Sequence, residues 1–219
     1  MKRDKWLIVP DVLPLLIIFA VLTIIVYFLG GRKVALVPLI FLLFILYFFR
    51  NPSRKTIAQS NEIVSPADGV ILAVEKVEEK NYLHRSAIKV SIFLNIFNVH
   101  VNRVPIAGVI DYLCYHPGKF IPAFKSHASQ LNERNYIGIK SEDNPGWAVL
   151  VVQITGFIAR RIVCWIKVGE RLGQGDLLGM IKFGSCTELY LPSDSTVLVE
   201  KGQKVRGGET IIGRFAENE

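Results

Sequence analysis

The chain has 219 residues, 51% of them hydrophobic and 21% charged, and its mean hydropathy of +0.36 argues against an ordinary freely soluble protein. Its 26 Lys and Arg outweigh 19 Asp and Glu, giving a net charge of +7 that suits an anionic membrane surface. Nucleic acid is not the expected partner, because neither zinc-finger spacing nor an aromatic RNP strand accompanies the charge.

The hydrophobic excess is concentrated at the start. Residues 12–31 and 34–49 are two uncharged apolar runs separated only by Arg32 and Lys33. At about 1.5 Å per helical residue the first reaches roughly 30 Å, a bilayer core, and the second roughly 24 Å. A secretory signal peptide would explain the basic Lys2, Arg3 and Lys5, but the run is too long, no A-x-A site follows, and a second apolar run comes next. Basic residues flank the pair on both outer sides, with Arg50, Arg54 and Lys55 after it. The positive-inside rule then puts both ends, and the domain that follows, in the cytoplasm. Residues 1–50 are therefore expected to be a transmembrane hairpin in the cell membrane, and residues 51–219 one globular domain.

That domain alternates β-branched runs with glycine and proline punctuation, which predicts strands near 71–77, 87–93, 97–101, 108–113, 147–154 and 162–168. The expected class is mainly β, a β-rich α+β fold. Residues 169–179 (GERLGQGDLLG) and 202–213 (GQKVRGGETIIG) follow one template. It resembles the hammerhead of biotinyl and lipoyl carrier domains, as SPADG at 65–69 resembles their first turn, although no lysine stands in the M-K-M setting that carriers modify. The three cysteines, Cys114, Cys164 and Cys186, include no C-x-x-C pair, so neither a disulfide framework nor a metal site is expected.

Between the two template copies lies the pair Gly184-Ser185. A serine hydroxyl can attack the preceding glycine carbonyl when the fold strains the bond; elimination from the resulting ester and hydrolysis leave an N-terminal pyruvoyl group. Taken alone, Gly-Ser in a β protein is ordinarily a turn. In FNVHVNRVP at 97–105, Phe97, Val99 and Val101 alternate with Asn98, His100 and Asn102. Period two places His100 on the polar face of a half-buried strand, where it can exchange protons near neutrality. Asp68 is good turn chemistry before Gly69, or else a carboxylate that orients His100 or takes the Ser185 proton. Arg103, Arg160 and Arg161 offer forked donors for a phosphate; on a strand the last two point to opposite faces. His84, His116 and His127 are read as solvated or substrate-contacting, and Phe183 and Tyr190 as core.

Six ordered blocks carry a resemblance: SPADG at 65–69, FNVHVNRVP at 97–105, YHPGKF at 115–120, NERN at 132–135, QITG at 153–156 with IARRI at 158–162, and FGS at 183–185. Together they resemble the short, membrane-anchored phosphatidylserine decarboxylase proenzymes. The resemblance implies self-cleavage between Gly184 and Ser185, a large subunit 1–184 and a small subunit 185–219 joined as a heterodimer, with higher oligomers left open. It implies a pyruvoyl cofactor from Ser185 that forms a Schiff base with phosphatidylserine in the bilayer, and release of CO2 and phosphatidylethanolamine. The family's autocatalytic aspartate and histidine fall on Asp68 and His100. A second histidine of the long-form enzymes falls on Arg103, which leaves the base for self-cleavage open. Two other readings stand beside this one: the same chemistry on another serine-headgroup lipid, such as an archaetidylserine-like ether lipid, or a non-catalytic lipoyl-like adaptor.

Overall fold

A computed structural model describes residues 6–121, 131–144, 146–156, 161–182 and 185–216. The chain divides into two compact units, Met1–Ser53 and Arg54–Glu219.

In the first unit a 3-10 turn at Pro10–Val12 leads into one apolar helix, α1 (Leu13–Phe48). Two helices, 12–31 and 34–49, were expected from the sequence; helical structure instead continues through Arg32 and Lys33, a pair too short to make a loop of its own. Gly31 alone leaves helical geometry, at φ 76° and ψ 175°, a conformation that glycine adopts without a Cβ penalty. Many side chains of α1 face outward, with Ile17 62% and Phe28 78% exposed, while Ala35, Pro38, Ile45 and Phe48 are buried. By length and composition α1 can cross a membrane. The rings of Phe19 and Phe41 lie 6.0 Å apart, Ile8 and Arg50 form an antiparallel bridge, and Val9 N donates to Phe49 O at 3.1 Å.

The second unit is mostly β. Its strands are β1 (Glu62–Val64), β2 (Gly69–Glu79), β3 (Arg85–Leu94), β4 (Val101–Arg103), β5 (Gly108–His116), β6 (Arg134–Lys140), β7 (Ala148–Thr155), β8 (Arg161–Cys164), β9 (Arg171–Leu172), β10 (Leu177–Lys182), β11 (Ser185–Pro192), β12 (Thr196–Val197), β13 (Lys204–Val205) and β14 (Ile211–Arg214). They form an eight-stranded sheet, β13-β2-β3-β11-β7-β6-β5-β9, and two three-stranded sheets, β1-β14-β12 and β4-β10-β8. Exchanging β1–β3 with β4–β6, and β7–β10 with β11–β14, reverses the large sheet onto itself and swaps the two small ones. The unit is thus two similar halves, with the second, β4–β10, inserted between β3 and β11 of the first. The template copies seen in the sequence are the matching ends of these halves: Gly169 and Gly202 have φ 84° and 90°, Gly175 and Gly208 have φ 87° and 77°.

Expected strands at 71–77, 87–93 and 108–113 fall within β2, β3 and β5, the one at 147–154 matches β7 from Ala148 onward, and the one at 162–168 stops at Cys164. The expected strand at 97–101 is a correction. Asn95 Oδ1 accepts Phe97 N at 2.8 Å and Asn98 Oδ1 accepts Asn95 N at 2.9 Å, so side chains take over the backbone donors and make a turn.

One face of the large sheet carries the main core, including Ile71, Ile92, Ile137, Val151 and Leu189, closed by Ile63, Leu178 and Ile212 of the smaller sheets. Each such fully buried side chain is worth about 1.5–3 kcal/mol. The other face holds Leu150, Val152, Ile154 and Cys186 under Tyr82, Tyr112, Tyr136 and Tyr190. Tyr82 sits in the β2–β3 turn, stacks on Tyr112 at 5.6 Å and donates to Asp111 Oδ1 at 2.6 Å, so the sheet curls until β2 and β5 communicate.

That turn is pinned by Glu79, 3% exposed. Its carboxylate accepts Asn81 N at 2.7 Å, Tyr82 N at 2.8 Å and Leu83 N at 2.6 Å. Burial pushes the Glu79 carboxyl up, but these donors outweigh it and the net shift is downward. A lowered folded-state value contributes stability above the unfolded value, and the contribution is lost as pH falls through the folded one. Glu79→Gln, which leaves donors unmet, is expected to cost about 1–3 kcal/mol at neutral pH. Thermal melting should show the gap to wild type narrowing below the ordinary carboxylate range; an equal gap at all pH values would refute the role given to the charge.

Candidate active site

Antiparallel pairing brings the end of β3, the start of β11 and the end of β7 together, with Ser185 opposite Leu94 on one side and Thr155 on the other. Ser185 is fully buried, and its Oγ has no hydrogen-bond partner among the described residues. A buried hydroxyl in that condition is uncommon and calls for a reason. Ser185 and Thr187 alternate with Cys186, so both point to the main-core face, where β3 sets the apolar Leu94 and Ile92 beside them and β7 sets Thr155 and Gln153, a polar end on the β7 side.

A buried chain of hydrogen bonds fills this polar end. Asn135 Nδ2 donates to Gln153 Oε1 at 3.1 Å, Gln153 Nε2 to Asn102 Oδ1 at 2.9 Å, and Asn102 Nδ2 to Thr187 Oγ1 at 3.0 Å. Asn102 and Gln153 are 0% exposed. Such a network fixes its members only when every group is satisfied, as here along the chain. It ties β4, which follows His100, to β11, which begins with Ser185. Asn102 Nδ2 also reaches Pro66 O at 3.3 Å, and Arg103 N donates to Pro66 O at 2.9 Å. The loop that carries Asp68 is thereby held to the same strand.

His100 is fully buried, not on the polar face of a half-exposed strand as period two suggested. Its carbonyl accepts Ile181 N at 3.2 Å, and its Nδ1 lies 3.0 Å from Asn98 O. A carbonyl only accepts, so the ring proton belongs on Nδ1 and the neutral ring keeps its lone pair on Nε2. Asp68 makes different contacts from those expected. Its Oδ2 accepts Arg54 Nη2 at 2.8 Å and its Oδ1 accepts Gly207 N at 2.8 Å, so neither oxygen bonds His100 or Ser185. Val70 pairs with Phe93 and Phe93 with Cys186. Asp68 thus lies two strands from the serine end, roughly 10 Å by strand spacing.

The arginines separate. Arg103 is buried and its Nη1 donates to Gly175 O at 2.9 Å, beside Gly208. It joins the two matching glycine turns of the halves. Arg161 begins β8 opposite Lys182 and is exposed. Partial desolvation raises the Tyr115 hydroxyl, Glu133 adds to the rise and Arg161 opposes it, which groups these three side chains. Glu133 is itself tied to the site, since its carbonyl accepts Thr155 N at 3.0 Å. Gly184, Arg160, Phe183 and His127 lie outside the described residues. His116 contacts Cys114 Sγ at 3.4 Å and Tyr136 edge-on, on the opposite face of the sheet from Ser185. His84 sits in the β2–β3 turn.

Sequence reasoning missed Arg54, taken only as a flanking charge, and the amides and hydroxyls of Asn102, Asn135, Gln153 and Thr187. Three of these four fall inside the blocks FNVHVNRVP, NERN and QITG, which was the available signal.

A family model described as phosphatidylserine decarboxylase matches residues 41–213. The chain is 61% identical over 180 residues to the phosphatidylserine decarboxylase proenzyme of Carboxydothermus hydrogenoformans, covering 81% of this chain and 83% of that one. It is 44% identical to the proenzyme of Symbiobacterium thermophilum, over 92% of this chain and 91% of that one. The proenzyme of Syntrophus aciditrophicus is 42% identical over 98% of this chain and its own full length.

Proposed function

The chain belongs to the phosphatidylserine decarboxylase family, and from that premise we propose a self-processing carboxy-lyase that converts phosphatidylserine to phosphatidylethanolamine and CO2. The observation that carries the reading is the Ser185 hydroxyl, buried at the head of a central strand without a partner among the described residues. Self-cleavage needs a hydroxyl unencumbered by other bonds.

In the proposed processing, Ser185 Oγ attacks the Gly184 carbonyl carbon while His100 Nε2 accepts its proton. The Gly184–Ser185 C–N bond breaks as the ester forms, and the proton passes from His100 to the freed Ser185 nitrogen. Loss of the Ser185 Hα and cleavage of its Cβ–O bond release the Gly184 carboxylate and leave dehydroalanine, which takes up water and loses ammonia to become pyruvoyl. The products are the large subunit 1–184 and the small subunit 185–219, joined as a heterodimer. The pyruvoyl group supplies the ketone that engages the substrate amine and draws electrons from its Cα as CO2 leaves. Ser185 fits this origin, because polar groups stand on its β7 side, where it pairs with Thr155, and two residues along its own strand Thr187 is bonded to Asn102, which is bonded to Gln153. His100 then holds the proton that Cα needs after CO2 departs. Arg161 is the substrate-phosphate candidate that reaches solvent, whereas Arg103 and the Arg54–Asp68 pair hold loops around the site. Arg160 is the remaining candidate.

We read α1 as a two-arm hairpin. Phe19 and Phe41 would stand roughly 33 Å apart along a straight helix, and their 6.0 Å separation supports a reversal at Gly31. The bridge between Ile8 and Arg50 supports both ends emerging together, with the catalytic unit on the cytoplasmic side of the cell membrane.

The test is the intact mass of purified protein. Two pieces divided before Ser185 are expected, the smaller refractory to Edman sequencing because its amino terminus is a ketone. One uncut, folded chain of 24.6 kDa would end the enzyme reading and favour the adaptor.

A further inference from the structure

The strand ends around Ser185 bear an unusual set of exposed side chains. Phe97, 62% exposed, lies in the turn that follows β3, while Tyr115 at 56%, Phe120 at 38% and Leu131 at 43% lie beside the ends of β5 and β6. Among the described residues after 53, these three aromatics are the only strongly exposed ones. Their position is fixed by hydrogen bonds. Asn132 bonds Ile121 N at 2.8 Å through Oδ1, and its Nδ2 donates to Thr155 O at 2.7 Å. Thr155 pairs with Ser185. Phe120 and Leu131 therefore flank the serine on one side of the sheet end, and Phe97 on the other.

The charge at this edge is one-sided. Lys119 and Arg161 are exposed, and the acid of these strand-end segments, Glu133, is buried. Aromatic rings interleaved with exposed cations suit the boundary between lipid headgroups and acyl chains. A tether brings a domain to a membrane without choosing which face meets it; this edge supplies the choice.

We propose that the edge formed by Phe97, Tyr115, Phe120 and Leu131 docks on an anionic bilayer, with Phe97 and Phe120 entering the acyl boundary and Lys119 and Arg161 at the phosphates. The site then opens onto lipid. The inference rests on the decarboxylase reading for its purpose, but its test does not need turnover. Full-length protein is reconstituted in vesicles of 70% phosphatidylcholine and 30% phosphatidylglycerol, with or without brominated phosphatidylcholine. Phe97→Trp and Phe120→Trp are compared with Val168→Trp, a control whose neighbour Gly169 bonds Ile110 near the opposite end of β5. The first two are expected to be quenched at least threefold more than the control, after subtraction of the native tryptophan signal. Equal quenching at all three positions, or none at any, would overturn the proposal. In a second arm, Phe97→Asp with Phe120→Asp should lower turnover of vesicle phosphatidylserine about tenfold and leave a soluble short-chain phosphatidylserine unaffected. An edge that docks in a protein without decarboxylase activity would defeat the functional reading alone. Normal turnover with an undocked edge would defeat this inference alone.

Discussion

Ser185→Ala is expected to stay one chain of 24.6 kDa and to lack decarboxylase activity altogether, because on the proposed scheme the same residue supplies both the processing nucleophile, through its Oγ, and the ketone carbon, through its Cα. The stability change sharpens the expectation. Removing a buried hydroxyl that has no partner among the described residues deletes a desolvation cost and leaves no donor stranded. The variant should melt at or slightly above the temperature of the uncut wild-type chain. Loss of processing with an unchanged melt identifies a chemical defect. A variant that unfolds, or one that is still cut before residue 185, would contradict the assignment of Ser185.

His100→Ala is expected to slow self-cleavage by about 10²–10⁴, the usual contribution of a positioned acid–base group. The Nδ1 contact to Asn98 O leaves Nε2 as the basic nitrogen, so the rate of wild-type cleavage should fall at pH values where the ring becomes protonated. Cleavage of freshly synthesised protein, followed by denaturing gel across pH, reads both effects. A variant cut at the wild-type rate would remove His100 from the processing step. A cut variant with slow turnover would confine it to decarboxylation.

The apolar run of α1 and the strands β2, β3, β5 and β7 were legible because each carries its pattern locally, within one stretch of β-branched residues. The turn at 95–98 was not, since two asparagine side chains redirect a segment whose alternation mimics a strand. The inserted half could not be read either. Glu62 pairs with Arg214, and Gly69 with Val205, and such distant pairings leave no local trace beyond the repeated glycine turns. At the site, Ser185 and His100 stood inside distinctive blocks. The Asn135–Gln153–Asn102–Thr187 chain draws its members from four strands, so only the fold discloses it. Arg54 was hidden by its place beside the apolar run, where a positive charge already had a topological explanation.

The cleavage proposed before Ser185 falls where the inserted half ends and the outer half resumes. β11 lies between β3 and β7 and is paired with both, so the proposed small subunit is a strand woven through the middle of the sheet. Its departure would require unfolding the large subunit. Before the cut, threading that strand is an intramolecular event; afterwards, reassembly from unfolded pieces becomes a second-order encounter between two fragments, each with an incomplete half. Folding would then be a one-time opportunity for this molecule: heated mature protein should fail to regain structure at dilutions where the uncut serine variant still can.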